Sequence, residues 1–143
     1  MSPAHWLPWL LAAAAASACS SSPPGAANTD FSAPPLFTVT TSSGALRVEV
    51  RSSPQPPERG TNRFELRVVG ATDGLPRDGL DVAVTPWMPS MNHGSSILPT
   101  VAAEGDGTYL VTNVDLFMPG YWELRTAFSG SVSDHATPAV QIP

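Results

Sequence analysis

The sequence predicts an all-β fold, namely an antiparallel β-sandwich of immunoglobulin type with about seven strands. Apolar and polar residues alternate with a period of two along most of the chain from residue 37 onward, as in strands with one buried and one solvated face. Turn residues recur about every ten residues, the spacing of a sandwich of short strands. No apolar pattern with helical spacing lasts the roughly three turns that a soluble helix needs.

The alternation can be followed from strand to strand. The predicted strands contain Phe37 and Val39; Leu46, Val48 and Val50; Phe64, Leu66 and Val68; Leu80, Val82 and Val84; and Trp122, Leu124, Thr126 and Phe128. A short last strand is predicted over 139–142. Turns are predicted at 43–44, 54–60, 73–74, 78–79, 105–107 and 119–120. Tyr109 follows the turn at 105–107 and is a candidate for the tyrosine corner of such sandwiches.

The first residues predict a secretory signal peptide over 1–18. An apolar run of Leu, Trp and Ala ends in small residues, and its dozen or so residues are fewer than the roughly 20 that a spanning helix needs. Cys19, the only cysteine of the chain, follows Ala16-Ser17-Ala18, where a bacterial lipoprotein signal places the thiol that receives the lipid. We predict lipidation of Cys19, although Ala16 replaces the usual Leu or Val. Cleavage by an ordinary signal peptidase is the alternative.

Residues 19–35 are predicted to form a flexible tether between the lipidated Cys19 and one domain of residues 36–143. The tether is rich in Ser, Pro and Ala, and its few apolar residues offset little of the entropy of ordering. A single cysteine allows no intrachain disulfide, so the domain depends on its core. We expect an exported protein, lipid-anchored in the bacterial cell envelope. Ser20, in place of an aspartate, favours the outer membrane facing the periplasm.

The charge balance and the remaining polar residues exclude two classes of function. The formal net charge is −5, and the seven basic residues are scattered arginines, so nucleic-acid binding is not expected. Ser131, Asp134 and His135 have the residue types of a hydrolase triad, but they are too close in sequence to converge on a rigid scaffold. We therefore expect no enzymatic activity.

Two stretches collect every methionine after the signal peptide. WMPSMNHGSS, residues 87–96, contains Met88, Met91 and His93, and LFMPGYW, residues 116–122, contains Met118. Prolines within and just before the first stretch remove backbone donors, so a central strand cannot continue through it. These side chains are therefore predicted to lie at strand ends and turns, where residues from different strands can converge on a ligand.

The donor atoms of the two stretches suit one kind of metal. Thioether sulfur is a soft ligand and neutral imidazole a borderline one, a combination that suits Cu(I) better than Zn²⁺ or Mg²⁺. Trp87 or Trp122 could also place an indole face beside the cation. The same residues allow a structural interpretation, since methionine fills irregular cores and Met-Pro and Pro-Gly end strands. From the residues alone, both interpretations stay open.

The motifs resemble the YtkA-like domain family, which is similar to the FixH group. The shared elements, in order within residues 36–128, are MPSMNHG at 88–94, GTY at 107–109 and MPGYW at 118–122. The resemblance implies an exported immunoglobulin-like domain, often a small lipoprotein beside metal-efflux or oxidase-assembly components, and not an enzyme. It also implies a copper role for four residues only: Met88, Met91, His93 and Met118. FixH proteins have a transmembrane anchor, in place of which a lipid tether is expected here.

Two functions follow as hypotheses. The first is an exported, lipid-anchored domain that binds Cu(I) at Met88, Met91, His93 and Met118 and carries or buffers it for copper-handling envelope proteins. The alternative is a non-enzymatic accessory module that docks another envelope protein through an apolar edge anchored by Trp87, Met88 and Trp122.

Overall fold

The protein folds into two antiparallel sheets of five strands each, packed as a β-sandwich. The computed structural model describes residues 29–143; the predicted signal peptide, Cys19 and the first part of the tether lie outside the described residues. The predicted all-β sandwich is confirmed. Within 29–143, the structure contains no helix of sufficient length and apolar character to cross a membrane.

Ten strands follow one another along this part of the chain. They are β1 (Phe37–Thr40), β2 (Leu46–Ser53), β3 (Gly60–Gly70), β4 (Asp81–Met88), β5 (His93–Gly94), β6 (Thr100–Gly105), β7 (Thr108–Leu116), β8 (Gly120–Ser129), β9 (Asp134–Ala136) and β10 (Ala139–Ile142). The first sheet has the order β1-β2-β3-β7-β6, and the second the order β10-β8-β4-β5 with β9 also paired to β8. Six of these strands, β1 to β4, β8 and β10, match strands placed from the sequence; the other four are β5, β6, β7 and β9.

The inner faces of the two sheets form one hydrophobic core. In β2 the apolar residues of LRVEVRSS are buried while the charged residues between them face outward, and β8 repeats the pattern around Trp122 and Leu124. Trp122 is fully buried and is the largest side chain of the core. Each large apolar side chain buried in this way stabilises the fold by roughly 1.5–3 kcal/mol.

Tyr109 joins β7 to the connection between β3 and β4. Its hydroxyl donates to the Arg77 carbonyl oxygen (2.7 Å) and accepts from the Leu80 backbone N–H (3.1 Å). A tyrosine corner bonds to backbone only a few residues upstream, whereas these partners lie 32 and 29 residues upstream. Tyr109 is therefore not a tyrosine corner, because the β6–β7 hairpin places it against a different connection.

Residues 29–35, predicted as the last part of the flexible tether, lie against the first sheet. Thr29–Phe31 is a 3₁₀ turn, and Phe31 is only 6% exposed. Three side chains hold the segment: Arg63 pairs with Asp30, Arg51 donates to the Ala33 carbonyl (3.1 Å), and Gln55 donates to the Pro34 carbonyl (2.8 Å). The ordered domain thus begins before residue 36, because Phe31 supplies an apolar anchor.

The sandwich has two ends that carry different connections. The site end is formed by the end of β4, by β5, and by the β2–β3 and β7–β8 connections at 54–59 and 117–119. These segments lie at the same end because Gly60 pairs with Leu116 in the first sheet and Trp87 pairs with Glu123 in the second. The far end is formed by the connections at 41–45, 71–80, 106–107 and 130–133. Both predicted methionine stretches lie at the site end.

Candidate functional site

Met88 and His93 are direct cross-strand neighbours at the site end. After β4 ends at Met88, the residues Pro89–Met91 form a 3₁₀ turn, and Asn92 adopts a left-handed conformation with φ 50°. This turn reverses the chain, so that His93 pairs with Met88 in antiparallel register. Directly opposed residues of an antiparallel pair point to the same face, with Cβ atoms about 5 Å apart. The motif therefore brings a thioether and an imidazole side by side.

Gly94 makes this close pairing possible. It lies opposite Trp87, and a Cβ atom added to it would stand 2.6 Å from the Pro86 carbonyl oxygen. Real Cβ contacts are longer than this distance, so a side chain at position 94 would push β5 away from β4. Gly94 is therefore a positioning residue for His93.

The Met88 side chain is directed into the core. It is only 2% exposed, and its Cε methyl lies near Gly120, at which an added Cβ would be 3.0 Å from that methyl. Burial of this kind is what the structural interpretation of methionine predicts. It also holds the Met88 thioether between β5 and the start of β8, on the face that His93 shares.

His93 is held by an aromatic stack. Its half-buried ring lies over Phe117, with centroids 5.8 Å apart and planes inclined by 15°, and Phe117 meets Trp122 edge to face at 5.5 Å. The Nδ1 atom lies 3.3 Å from the Gly94 carbonyl oxygen. Within the described part of the chain, Nε2 makes no hydrogen bond and is the nitrogen available to a ligand.

Met118 and Met91 lie at the same end of the sandwich but at different depths. Met118 follows Phe117, is half-buried against the core, and its carbonyl accepts the Trp122 Nε1–H at 2.9 Å. Met91 lies in the 3₁₀ turn, which contacts β8, and is 52% exposed. The structure thus joins Met88 and His93 directly, places Met118 beside the residue on which His93 stacks, and leaves Met91 on the outside.

Trp87 and Trp122 are placed differently relative to the predicted copper ligands. Trp122 supports the site from the core through Phe117 and Met118. Trp87 alternates with Met88 and so points to the other face of the sheet, where the Arg125 guanidinium lies 4.8 Å from its ring centroid. Trp122 therefore neighbours the predicted ligands, whereas one indole face of Trp87 is covered by an arginine.

The donors gathered at the site end are three thioethers and one imidazole. Neither there nor elsewhere in residues 29–143 do three His, Cys, Asp or Glu side chains come together in a group that could hold a metal ion. The thioether and imidazole set at the site end suits a soft monovalent cation such as Cu(I).

A family model described as YtkA-like matches residues 40–127, which include all four predicted ligands as well as Trp87 and Trp122. The chain belongs to the YtkA-like family. The resemblance inferred from the MPSMNHG and MPGYW motifs is thereby confirmed. No curated protein and no solved structure matches the chain.

A cluster of hydrogen-bonded polar side chains lies at the far end of this YtkA-like domain. The Asp134 carboxylate accepts hydrogen bonds from Ser42 Oγ (2.9 Å), the Ser43 backbone N–H (3.1 Å) and Ser43 Oγ. Ser42 Oγ also lies 3.0 Å from His135 Nδ1, while Ser131 stays in an exposed loop. Asp134 thus bonds to serines that sequence spacing could not reveal, and it does not orient the imidazole as a triad would require.

The environment of Asp134 changes the acidity of its carboxyl group. Desolvation by itself raises the pKa of Asp134. The hydrogen bonds to the carboxylate, the first of them from Ser43, lower the pKa by a larger amount, so that it lies well below its ordinary value. A carboxylate of this kind adds stability above its unfolded-state pKa, near pH 4. That stability is lost as the pH falls through the folded-state pKa.

We expect Asp134→Asn to be less stable than the wild type at neutral pH and less sensitive to acid. The wild type should lose more free energy of unfolding than the variant between about pH 6 and pH 3, because only the wild type must protonate this carboxylate. Urea unfolding at a series of pH values measures the difference. Asp81→Asn, on an exposed strand position, is the matched control and should keep the wild-type pH dependence; equal slopes for wild type and Asp134→Asn would contradict the prediction.

Proposed function

We propose that this YtkA-like protein is an exported, lipid-anchored carrier or buffer of Cu(I), bound through Met88, Met91, His93 and Met118. The observation that supports this most is the cross-strand pair of Met88 and His93. It places two donors that suit Cu(I) on one face at an end of the sandwich, with Met118 one residue from the ring on which His93 stacks. No catalytic step is part of the proposal.

The four donors differ in their access to solvent, and this difference suits transfer. Met88 is buried, His93 and Met118 are half-buried, and Met91 is exposed. Neutral thioethers are exchangeable ligands, so a partner's ligands can replace Met91 first and then the deeper donors. Copper-handling proteins of the envelope are the proposed partners, and a lipid on Cys19 is the proposed anchor, at the outer membrane facing the periplasm.

A competitive titration tests the proposal directly. The mature chain with Cys19→Ser, which removes the one thiol that could itself bind copper, is titrated with Cu(I) against a chromophoric chelator under reducing conditions. We expect the protein to withdraw one equivalent of Cu(I) from the chelator. A protein that withdraws none over the accessible range of affinities would overturn the proposal.

The alternative function, docking of another envelope protein, is supported by a different observation. Met88 and Trp122 are buried, so of the predicted anchors Trp87 alone is partly exposed. The apolar surface at the site end consists instead of Met91, Phe117 and Tyr121. Met91→Leu separates the two functions, since it keeps the apolar surface for docking but removes one of the proposed sulfur ligands and should weaken only copper binding.

A further inference from the structure

The exposed apolar side chains of the domain are concentrated at the site end. Six large hydrophobic residues are exposed in the described part of the chain: Leu75, Met91, Ile97, Leu98, Phe117 and Tyr121. Met91, Phe117 and Tyr121 belong to the site end, and the β5–β6 connection that leaves this end carries Ile97 and Leu98. Leu75 lies at the far end. Exposed apolar residues that collect at one end of a domain are typical of a surface that contacts a partner or a membrane.

The residues of this surface suit the boundary between water and lipid. Tyrosine is enriched at the headgroup level of a bilayer, and phenylalanine is among the apolar residues that interfacial segments bury at the boundary between headgroups and acyl chains. Arg59 is exposed and its Nε–H donates to the Phe117 carbonyl oxygen at 3.0 Å, so its guanidinium stands beside the apolar surface, where it can reach a phosphate. Glu58 is also exposed here and must stay in water, which limits the contact to headgroup depth.

The chain enters the domain at the same end. Phe37 pairs with Val50 and Thr40 with Arg47, so β1 runs away from the site end. The segment before β1 therefore comes from the site end, where Asp30 pairs with Arg63 near the start of β3. Any anchor on the N-terminal side is joined to the domain at the end that carries the exposed apolar residues.

The length of the connecting chain allows contact with the membrane. Cys19 and Thr29 are ten residues apart, a separation that spans at most roughly 35 Å. The domain is itself about as long, since β3 has 11 residues and a strand rises about 3.3 Å per residue. The tether therefore lets the site end reach the bilayer, and an apolar contact at that end would hold the far end about one domain length away.

We infer that the site end, through Met91, Phe117, Tyr121 and Arg59, rests on the phospholipid surface to which the protein is anchored. This inference depends on the proposed lipid at Cys19 and not on copper binding. Its consequence for the proposed function is that the copper donors face the membrane. A partner that exchanges copper would have to present its ligands at the membrane plane.

Site-specific fluorescence measures the orientation of the lipidated protein. Two variants are prepared, Ser90→Cys at the site end and Thr72→Cys at the far end. Because the lipid blocks Cys19, the introduced cysteine is the only free thiol in each variant, and it is labelled with an environment-sensitive dye. The full lipidated chain, free of copper, is reconstituted in phosphatidylethanolamine–phosphatidylglycerol vesicles that contain a headgroup spin-labelled lipid. We expect several-fold stronger quenching at position 90 than at position 72. Equal quenching, or stronger quenching at position 72, would overturn the inference.

A matched pair of surface changes tests whether the apolar residues make the contact. Met91→Gln with Tyr121→Gln removes two exposed apolar side chains at the site end, and Leu75→Gln removes one at the far end. The first change should reduce quenching at position 90 to the level seen at position 72, and the second should leave it unchanged. All three side chains are exposed, so circular dichroism should show an intact fold. Unchanged quenching in the double variant would contradict the proposed contact.

Two further results would also overturn the inference. Mass spectrometry that finds no lipid on Cys19 would remove the anchor on which it depends. The label at position 90 could also remain in water on vesicles that contain no other protein, yet be shielded from water in native envelope membranes. That result would show that another protein, and not lipid, covers this end. Neither result bears on copper binding, since no copper is present.

Discussion

His93→Gln combined with Met91→Leu should lower the affinity for Cu(I) at least about 100-fold, because loss of metal ligands costs more than the 10–100-fold typical of their supporting residues. The fold should persist, since Met91 is exposed and His93 is half-buried in a two-residue strand. The competitive chelator titration, carried out in the Cys19→Ser chain, measures the change. Far-ultraviolet circular dichroism and thermal unfolding show whether the variant is folded.

A matched histidine and the remaining methionines sharpen this experiment. His135→Gln removes the other imidazole of the described chain, at the far end, and should leave the affinity unchanged. Met88→Leu and Met118→Leu keep apolar volume at a cost of less than about 1.5 kcal/mol in stability, so a fall in affinity would come from loss of the sulfur. An affinity that survives all four substitutions would assign the methionines to packing alone.

The pH dependence of the same titration identifies the imidazole. Protons compete with a metal for an imidazole nitrogen, so the affinity of the wild type should fall as the pH is lowered. Thioethers do not titrate, and His93→Gln should therefore show a weaker pH dependence. The same slope in wild type and His93→Gln would exclude His93 as a ligand.

The sequence predicted those strands whose two faces differ strongly. In β2, β3 and β8, large apolar residues alternate with charged ones, and their inward side chains form the core. β6, with the sequence TVAAEG, has small residues and an almost wholly exposed pattern, so no alternation marks it. β5 and β9 are too short for any period to be visible, and only pairing with longer neighbours defines them.

The candidate site was predictable in its residues but only partly in its geometry. Pro89 correctly marked the end of a strand, but the expectation that Pro86 also ends it was wrong, because β4 continues across Pro86 to Met88 in register with β8. Asn92 carried a local signal, since asparagine readily adopts the left-handed conformation that reverses the chain. The stacking of His93 on Phe117 joins residues from separate motifs, and sequence spacing does not reveal such a contact. Phe31 was missed as an anchor because one aromatic residue in a Ser- and Pro-rich segment produces no pattern.

Gly94→Ala should weaken Cu(I) binding roughly 10–100-fold, the range expected when a residue that orients a ligand is changed. The added Cβ would meet the Pro86 carbonyl oxygen at 2.6 Å and the Trp87 ring at 3.4 Å. Pro86 and Trp87 are held by their pairing with β8, so β5 must move instead, and His93 leaves its position beside Met88. Overpacking of this kind costs about 1–3 kcal/mol, and the sandwich itself should remain folded.

A double-mutant cycle decides whether Gly94 acts through His93. If Gly94 only positions the imidazole, Gly94→Ala should weaken binding in the wild type but add little in the His93→Gln background, because the effects of coupled residues are not additive. Ser96→Ala changes an exposed residue in the connection between β5 and β6. This variant controls for disturbance of the chain next to Gly94 and should leave the affinity unchanged. The contrary result is that Gly94→Ala lowers the Cu(I) affinity of the His93→Gln variant by the same factor as that of the wild type. In that case the alanine damages the site end in general, and the β4–β5 pairing is not what positions the ligand.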